Sequence, residues 1–122
     1  MSACARLALA ATVLAVCASA LPVATAAAPA RTQVVADEWR LTPSRTTFKP
    51  GTVKVEVVNM GEDDHDFVIA RAGGGLRYDS AIINPGKRAE FSFKLKRGTY
   101  KLWCSLGNHK SRGMQSKLKV RR

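Results

Sequence analysis

Apolar and polar residues alternate with a period of two along several short stretches of this chain. Valine alternates with charged residues across positions 53–57, and apolar side chains take every second position across 88–96. Shorter runs with the same period cover 100–104 and 117–121. Successive side chains of a β-strand point to opposite faces, so each run is predicted to be a strand with one buried face.

Turn-forming residues separate these runs. Pro50-Gly51, Asn84-Pro85-Gly86 and Arg97-Gly98 each precede one of them, and proline and glycine are the residues that preset or permit turn geometry. Residues 33–41 are predicted to form the first strand, which Thr42-Pro43-Ser44 would end. No sustained helical period follows the N-terminal segment, so the pattern predicts an all-β fold, either a β-sandwich or a barrel.

The N-terminal segment has the composition of a secretory signal peptide. It carries a single charged residue, an apolar run at 7–16 and small residues before a predicted cleavage site near Ala26. The 122 residues are enough for one domain and too few for two. We therefore predict a signal peptide over 1–26, a linker over 27–32 and one domain over 33–122.

Two other interpretations of the N-terminal segment stay open. Cys17 could be lipidated, although Val16 stands where a bacterial lipidation motif has a small residue. The segment could also remain uncleaved as an anchor, although it is rich in alanine and contains Pro22. Under every interpretation we expect the folded domain to be exported to the periplasm, the medium or the cell surface.

Cysteine usage makes Cys104 conspicuous. Cys4 and Cys17 lie in the predicted leader, so Cys104 is the only cysteine of the predicted mature chain. An exported protein with one cysteine has no internal disulfide, and its thiol needs another explanation. The ordinary explanation is a buried cysteine that acts as a small hydrophobe.

Three residues with metal-binding side chains share one loop with even spacing. Cys104 ends a predicted strand, His109 follows after four residues, and Met114 follows after four more. His65, the only other histidine, lies beside another strand-like run. Soft thiolate and thioether with two imidazoles suit copper that cycles between Cu(I) and Cu(II), whereas a thioether is a poor fourth ligand for zinc.

Each of these side chains also has a simpler interpretation. His65 could be a loop histidine that hydrogen-bonds to a carboxylate, and His109 could be merely exposed. Met114 could fill a gap in the core.

The charge balance indicates anionic partners. The whole chain carries a net charge of +11, and removal of the single Arg6 with the leader leaves +10. Such a surface favours acidic proteins or anionic membrane headgroups, although basic residues dispersed along strands are also typical of a solvated face. No interleaving of aromatic and basic residues indicates nucleic-acid binding, so we expect none.

Two motifs resemble those of the cupredoxins, the type 1 or blue-copper proteins. One is Val-Val-Asn-Met-Gly-Glu-Asp-Asp-His-Asp-Phe, which contains His65, and the other is Cys-Ser-Leu-Gly-Asn-His-Lys-Ser-Arg-Gly-Met, from Cys104 to Met114. The resemblance covers residues 33–120. It implies a Greek-key β-sandwich of about seven to eight strands.

The resemblance also implies a copper site and a function. His65, Cys104 and His109 would be the in-plane ligands of one copper ion, and Met114 the weak axial ligand. Members of the family carry single electrons between redox proteins and are not enzymes, and the histidine at the position of His109 is their electron port. We expect redox partners with acidic surfaces and a monomeric protein, with peripheral association with an anionic membrane surface left open.

Two departures from the family pattern lead to expectations about this chain. Asp66 stands where the family usually has asparagine, and it could accept a hydrogen bond from Ser105. Gly107-Asn108 stands where proline often precedes the histidine, so we expect a looser loop there.

Two other functions stay open at this point. A copper chaperone or storage protein is the main alternative, although such proteins tend to expose several methionine or histidine ligands, and only Met60 and Met114 remain beside the two histidines. A metal-free sandwich that binds anionic surfaces is the third.

Overall fold

The computed structural model describes residues 17–122. Within this range the chain forms nine β-strands: β1 (Ala30–Asp37), β2 (Arg40–Pro43), β3 (Thr47–Phe48), β4 (Gly51–Asn59), β5 (Val68–Arg71), β6 (Arg77–Asp79), β7 (Arg88–Leu95), β8 (Gly98–Trp103) and β9 (Gln115–Val120). Across this part of the chain, no helix is long and apolar enough to cross a membrane. The prediction of an all-β fold is confirmed.

Two predicted boundaries need correction. The expected first strand at 33–41 is two strands, because the chain turns at Glu38 and Trp39 so that β2 can pair antiparallel with β1. β1 also begins at Ala30, inside the expected linker at 27–32, where its first residues pair with β4. This division and the two-residue β3 explain why nine strands are present where we expected seven or eight.

The strands form two sheets. One has the order β2-β1-β4-β7, and the other has the order β3-β9-β8-β5-β6. The pairs β1–β4 and β3–β9 are parallel, whereas the remaining pairs are antiparallel. The chain passes from one sheet to the other five times: on entering and leaving β3, between β4 and β5, between β6 and β7, and between β7 and β8.

The alternating positions of the sequence become the core between the sheets. Val53, Val55 and Val57 of β4 are completely buried, while the residues between them are half-buried. Tyr100 and Leu102 of β8 contribute from the other sheet and belong to the same apolar cluster. The hydrophobic effect therefore selects the register, because a slip of one residue would expose each inward-facing set.

Strand directions bring three connections to one end of the sandwich. β1 and β4 run parallel, so the β1–β2 turn and the β4–β5 connection follow strands that end together. β5 starts at this end, and β8 ends there because Trp103 pairs with Val68. The loop from β8 to β9 thus meets the other two connections, although they are far apart in sequence.

The predicted signal peptide at 1–26 lies mostly outside the described residues, as does Cys4. Cys17 lies inside the described part and is exposed.

Candidate metal centre

Cys104 lies immediately after the last residue of β8. The ladder with β9 ends at the pair Trp103 and Gln115, and the next backbone contact is Cys104 N–H donating to the Met114 carbonyl at 3.2 Å. The Cys104 side chain is completely buried. The strand ladder therefore fixes the Cys104 backbone, with the thiol on the inner side of the sheet.

Met114 lies opposite Cys104 at the start of β9. Its side chain is completely buried in the same apolar cluster as Cys104. Its backbone N–H donates to the His109 carbonyl at 3.1 Å, which draws the β8–β9 loop back onto the sheet. Cys104 and Met114 are thus held by the strands that the loop joins.

His109 lies in the loop between them and is half-buried. Its Nδ1 atom is 3.5 Å from Cys104 Sγ. The other end of the loop approaches through Gly113, whose φ of 111° belongs to the region that favours glycine. The loop therefore returns to β9 within a few residues of His109, which keeps the His109 imidazole beside the Cys104 thiol.

His65 lies in the β4–β5 connection, which links the two sheets, and its imidazole approaches Cys104 and His109 from there. It forms an isolated antiparallel bridge with Ile83, in which its N–H donates at 3.2 Å and its carbonyl accepts at 2.7 Å. Its side chain is completely buried, and its Nδ1 atom is 4.0 Å from Cys104 Sγ and 3.3 Å from His109 Nδ1. The imidazole is held by its own backbone bridge.

The ligand atoms of three predicted residues therefore converge. One ligand atom from each of His65, Cys104 and His109 lies within 4.8 Å of the others, and Met114 is buried in the same apolar cluster as Cys104. Both histidines face the thiol with Nδ1. The arrangement is a compact group of two imidazoles and a thiol at one end of the sandwich.

Asn59 fastens the connection that carries His65. Its amide nitrogen donates to the carbonyls of Asp63 and Ile83, both at 2.8 Å, and its carbonyl oxygen accepts from Gly61 N–H at 2.9 Å. Asn59 is completely buried, so these bonds satisfy its amide where water cannot. The sequence indicated only that this residue ends a strand.

Asp66 ties this connection to the cysteine loop. Its Oδ1 accepts from Ser105 N–H at 2.6 Å, and its Oδ2 accepts from the Ser105 hydroxyl. The Asp66 N–H lies 3.5 Å from Cys104 Sγ and donates towards it. The predicted contact between Asp66 and Ser105 is present, and this carboxylate joins both ligand-bearing segments.

The loop around Gly107-Asn108 is well bonded, contrary to our expectation of a looser loop. The Asn108 carbonyl accepts from Arg112 N–H at 3.1 Å and from the Ser111 hydroxyl at 2.8 Å. Gly107 has a φ of 48°, which permits the turn without proline. Successive turns within the loop therefore supply the backbone bonds.

Sequence reasoning missed the part that the β1–β2 turn plays at the site. The Trp39 ring centroid lies 4.5 Å from that of His109, and the Arg112 guanidinium lies 4.5 Å above Trp39. Glu38 contacts His65 through a carboxylate oxygen 3.2 Å from Nε2. Nothing local to residues 38–39 indicated these contacts, because they depend on the parallel pairing of β1 with β4.

The chemistry of this donor set fits copper. A thiol, two imidazole Nδ1 atoms and a neighbouring thioether are the soft and borderline ligands that a copper ion accepts in both oxidation states. Burial raises the pKa of the Cys104 thiol above its ordinary value. A metal ion that binds the sulfur would therefore displace a proton from it.

Comparisons with known proteins agree with the fold and the donor set. The cupredoxin-like domain family matches residues 6–115. Among solved structures, reduced auracyanin from the photosynthetic bacterium Roseiflexus castenholzii is 18% identical, with a TM-score of 0.67 over 79% of this chain and 100% of that chain. A comparison with curated sequences finds no match.

Two further structures share the fold. A Cu(I) form of an amicyanin variant is 14% identical, with a TM-score of 0.55 over 80% of this chain and 87% of that chain. A multicopper oxidase is 15% identical, with a TM-score of 0.56 over 74% of this chain and 41% of that chain. At these identities the likeness establishes the fold. Since the family match spans most of the sequence, the chain belongs to the cupredoxin-like domain family.

Proposed function

We propose that this protein is an exported single-electron carrier with one type 1 copper site. His65, Cys104 and His109 would hold the ion, and Met114 would be a weaker fourth ligand. The convergence of the three ligand atoms on one buried point carries this proposal. Bound copper would supply a couple between Cu(II) and Cu(I), with no bond made or broken in a substrate.

The surroundings of the site suit outer-sphere transfer. His65 and Cys104 are completely buried, whereas His109 is half-buried and packs against Trp39. A donor or acceptor would therefore approach the His109 side, because His65 and Cys104 are shielded from solvent. The surface there includes Trp39, which packs on His109, and the Arg112 guanidinium that lies over Trp39.

Charge segregation supports partners with acidic surfaces. On the β2-β1-β4-β7 sheet, three basic residues are paired with acids: Lys54 and Arg31 with Glu90, and Arg88 with Glu56. On the other sheet, Lys101 of β8 lies directly opposite Lys117 of β9. Within residues 17–122 neither lysine takes part in an ion pair. Like charges opposed in this way destabilise a sheet, which favours a functional role for them.

The basic face continues to the metal end of the molecule. Trp103 lies on the same face as Lys101 and directly precedes Cys104, and the Lys110 ammonium group lies 4.3 Å above the Trp103 ring. Lys101, Trp103, Lys110 and Lys117 all line one cleft of about 200 Å³. We infer that a partner protein with an acidic surface docks on this face, next to Trp103 and the adjoining Cys104.

Export is part of the proposal. The apolar segment at 7–16 and the single cysteine of the folded domain support it. Determination of the N-terminus of the protein secreted by an expressing cell should place cleavage near Ala26. A cytoplasmic protein with its leader intact would contradict export.

Addition of Cu(II) to the copper-free protein tests the site itself. An intense visible thiolate-to-copper band should appear in the wild type and be absent in Cys104→Ala. A weak, pale spectrum would instead favour a chaperone or storage protein. No binding at all would leave the metal-free alternative.

A further inference from the structure

Glu38 contacts the proposed ligand His65 on the ring nitrogen that faces away from Cys104 and His109. Its Oε1 lies 3.2 Å from His65 Nε2, while His65 Nδ1 faces Cys104 and His109. His65 is completely buried, so water does not compete for Nε2. The carboxylate comes from the β1–β2 turn, far from the ligands in sequence.

The β4–β5 connection forms a seat for this carboxylate. Glu38 Oε1 accepts from Glu62 N–H at 2.9 Å and from Asp63 N–H at 3.0 Å. Gly61 completes the seat, because a Cβ atom added there would overlap the Glu38 carboxylate. The hydrogen bond from Asp63 is the main cause that lowers the pKa of Glu38. Three consecutive residues thus hold one negatively charged group against His65.

This contact selects one tautomer of His65. A neutral imidazole carries one N–H, and the acceptor-only carboxylate beside Nε2 favours placing it there. Nδ1 then presents its lone pair to the site. A carboxylate on the outer nitrogen of a metal-ligating histidine also makes the ring a stronger donor, which favours the more highly charged metal ion.

We propose that Glu38 is a positioning residue that holds His65 ready to bind metal and lowers the Cu(II)/Cu(I) potential of the site. The second half rests on the proposed function, whereas the first applies to the copper-free protein. The alternative is that Glu38 only ties the β1–β2 turn to the β4–β5 connection.

Glu38→Gln tests the role of the charge. The glutamine oxygen can still accept the same hydrogen bonds, so the seat is kept while the negative charge is lost. Loss of such a partner commonly costs 10–100-fold in metal affinity. We expect Cu(II) affinity to fall about tenfold relative to Cu(I), which raises the potential by about 59 mV for a one-electron couple.

Glu62→Gln is the matched control. It removes the same charge from the same connection, but the Glu62 side chain is exposed and only its backbone contacts Glu38. Its potential should change much less than that of Glu38→Gln. Equal shifts in the two variants would overturn the proposed effect on the potential.

The tautomer is measured without copper. In the copper-free wild type, ¹⁵N NMR of His65 should show Nε2 protonated and Nδ1 unprotonated, and Glu38→Ala should lose this preference. An unchanged tautomer in Glu38→Ala would overturn the positioning role. Since this result needs no metal, it stays informative if the Cu(II) band is absent and the proposed function fails.

Gly61→Ala is a second way to remove the contact between Glu38 and His65. The clash is with the flexible end of Glu38, and the φ of Gly61 lies outside the range that favours glycine, so we expect the variant to fold. We expect Gly61→Ala and Glu38→Ala to raise the potential by similar amounts. The variant that combines the two should shift the potential little further than either alone, because both changes remove the Glu38 carboxylate from the same hydrogen bonds. Fully additive shifts in potential would contradict the claim that Gly61 acts by leaving room for the Glu38 carboxylate.

Discussion

Asp66 and Ser105 join two ligand-bearing segments through one carboxylate. Asp66 accepts two hydrogen bonds from Ser105, and its own N–H points at Cys104 Sγ. The side chain is almost completely buried, with 6% of its surface exposed. At the scale of single residues, buried charge and hydrogen bonds near the sulfur set the properties of the site.

Asp66→Asn should raise the Cu(II)/Cu(I) potential. The substitution removes a negative charge near the proposed site while keeping an oxygen that can accept from Ser105. The expected shift is tens of millivolts, since about 59 mV corresponds to a tenfold change in relative affinity. Protein voltammetry would measure it, with the exposed Asp63→Asn as a control of equal charge. No difference between the two variants would refute this role of Asp66.

Uptake of Cu(II) should become tighter as the pH rises. Burial raises the pKa of the Cys104 thiol, so at neutral pH the copper-free protein carries a proton that the metal must displace. Below that pKa, each pH unit should increase the apparent affinity about tenfold for one displaced proton. Competition with a chelator between about pH 6 and pH 8 and proton release on copper addition would test this expectation. A flat affinity with no proton release would contradict it.

At the scale of elements, Tyr100 closes the turn between β7 and β8. Its hydroxyl donates to the Lys96 carbonyl at 2.8 Å and accepts from Lys96 N–H at 2.9 Å. The ring is buried in the core, with 1% of its surface exposed. This side chain therefore fixes the turn from which β8 runs to Cys104.

Tyr100→Phe should lower the free energy of unfolding by about 1–3 kcal/mol, because two backbone groups lose their partner. Denaturant unfolding would measure the change. Tyr78→Phe is the control, because within residues 17–122 the Tyr78 hydroxyl makes no hydrogen bond and its ring is partly exposed. The Cu(II) spectrum should be unchanged in both variants. A cost no larger than that of Tyr78→Phe would contradict the role of the hydroxyl.

At the scale of the whole molecule, the two outer faces of the sandwich differ in how their charges are balanced. On the face of β4 and β7, Lys54 and Arg88 pair with acids, whereas the face of β8 and β9 opposes Lys101 to Lys117. An uncompensated basic face costs stability and attracts anions.

Lys117→Glu should increase stability and decrease reactivity with an anionic oxidant. Replacing a like-charge pair with an opposite-charge pair should stabilise the sheet by about 0.2–1 kcal/mol. Oxidation of the Cu(I) protein by hexacyanoferrate(III) should become several-fold slower and less sensitive to salt, because steering between exposed charges is screened. Stopped-flow kinetics at several ionic strengths would measure both effects.

Lys94→Glu makes the same charge change on the other sheet, where Lys94 is exposed on β7. It should slow the reaction less than Lys117→Glu does. Equal rates for the two variants would show that net charge matters and the β8–β9 face does not.

The sequence by itself determined the alternation that forms the strands and the identities of the four candidate ligands. Alternation is local, because each strand buries every second side chain, as Val53, Val55 and Val57 show. The spacing from Cys104 to Met114 likewise placed both at the base of one loop. His65 was a candidate as the only other histidine, beside a strand-like run, and the structure brings its Nδ1 atom to the same point.

Only the tertiary structure decided what surrounds those ligands. Glu38 and Trp39 reach the two histidines because β1 pairs parallel with β4, and no pattern near residues 38–39 encodes that pairing. The opposition of Lys101 and Lys117 likewise depends on the register of β8 with β9. Contacts between distant segments follow from register and sheet order, which the whole core selects at once.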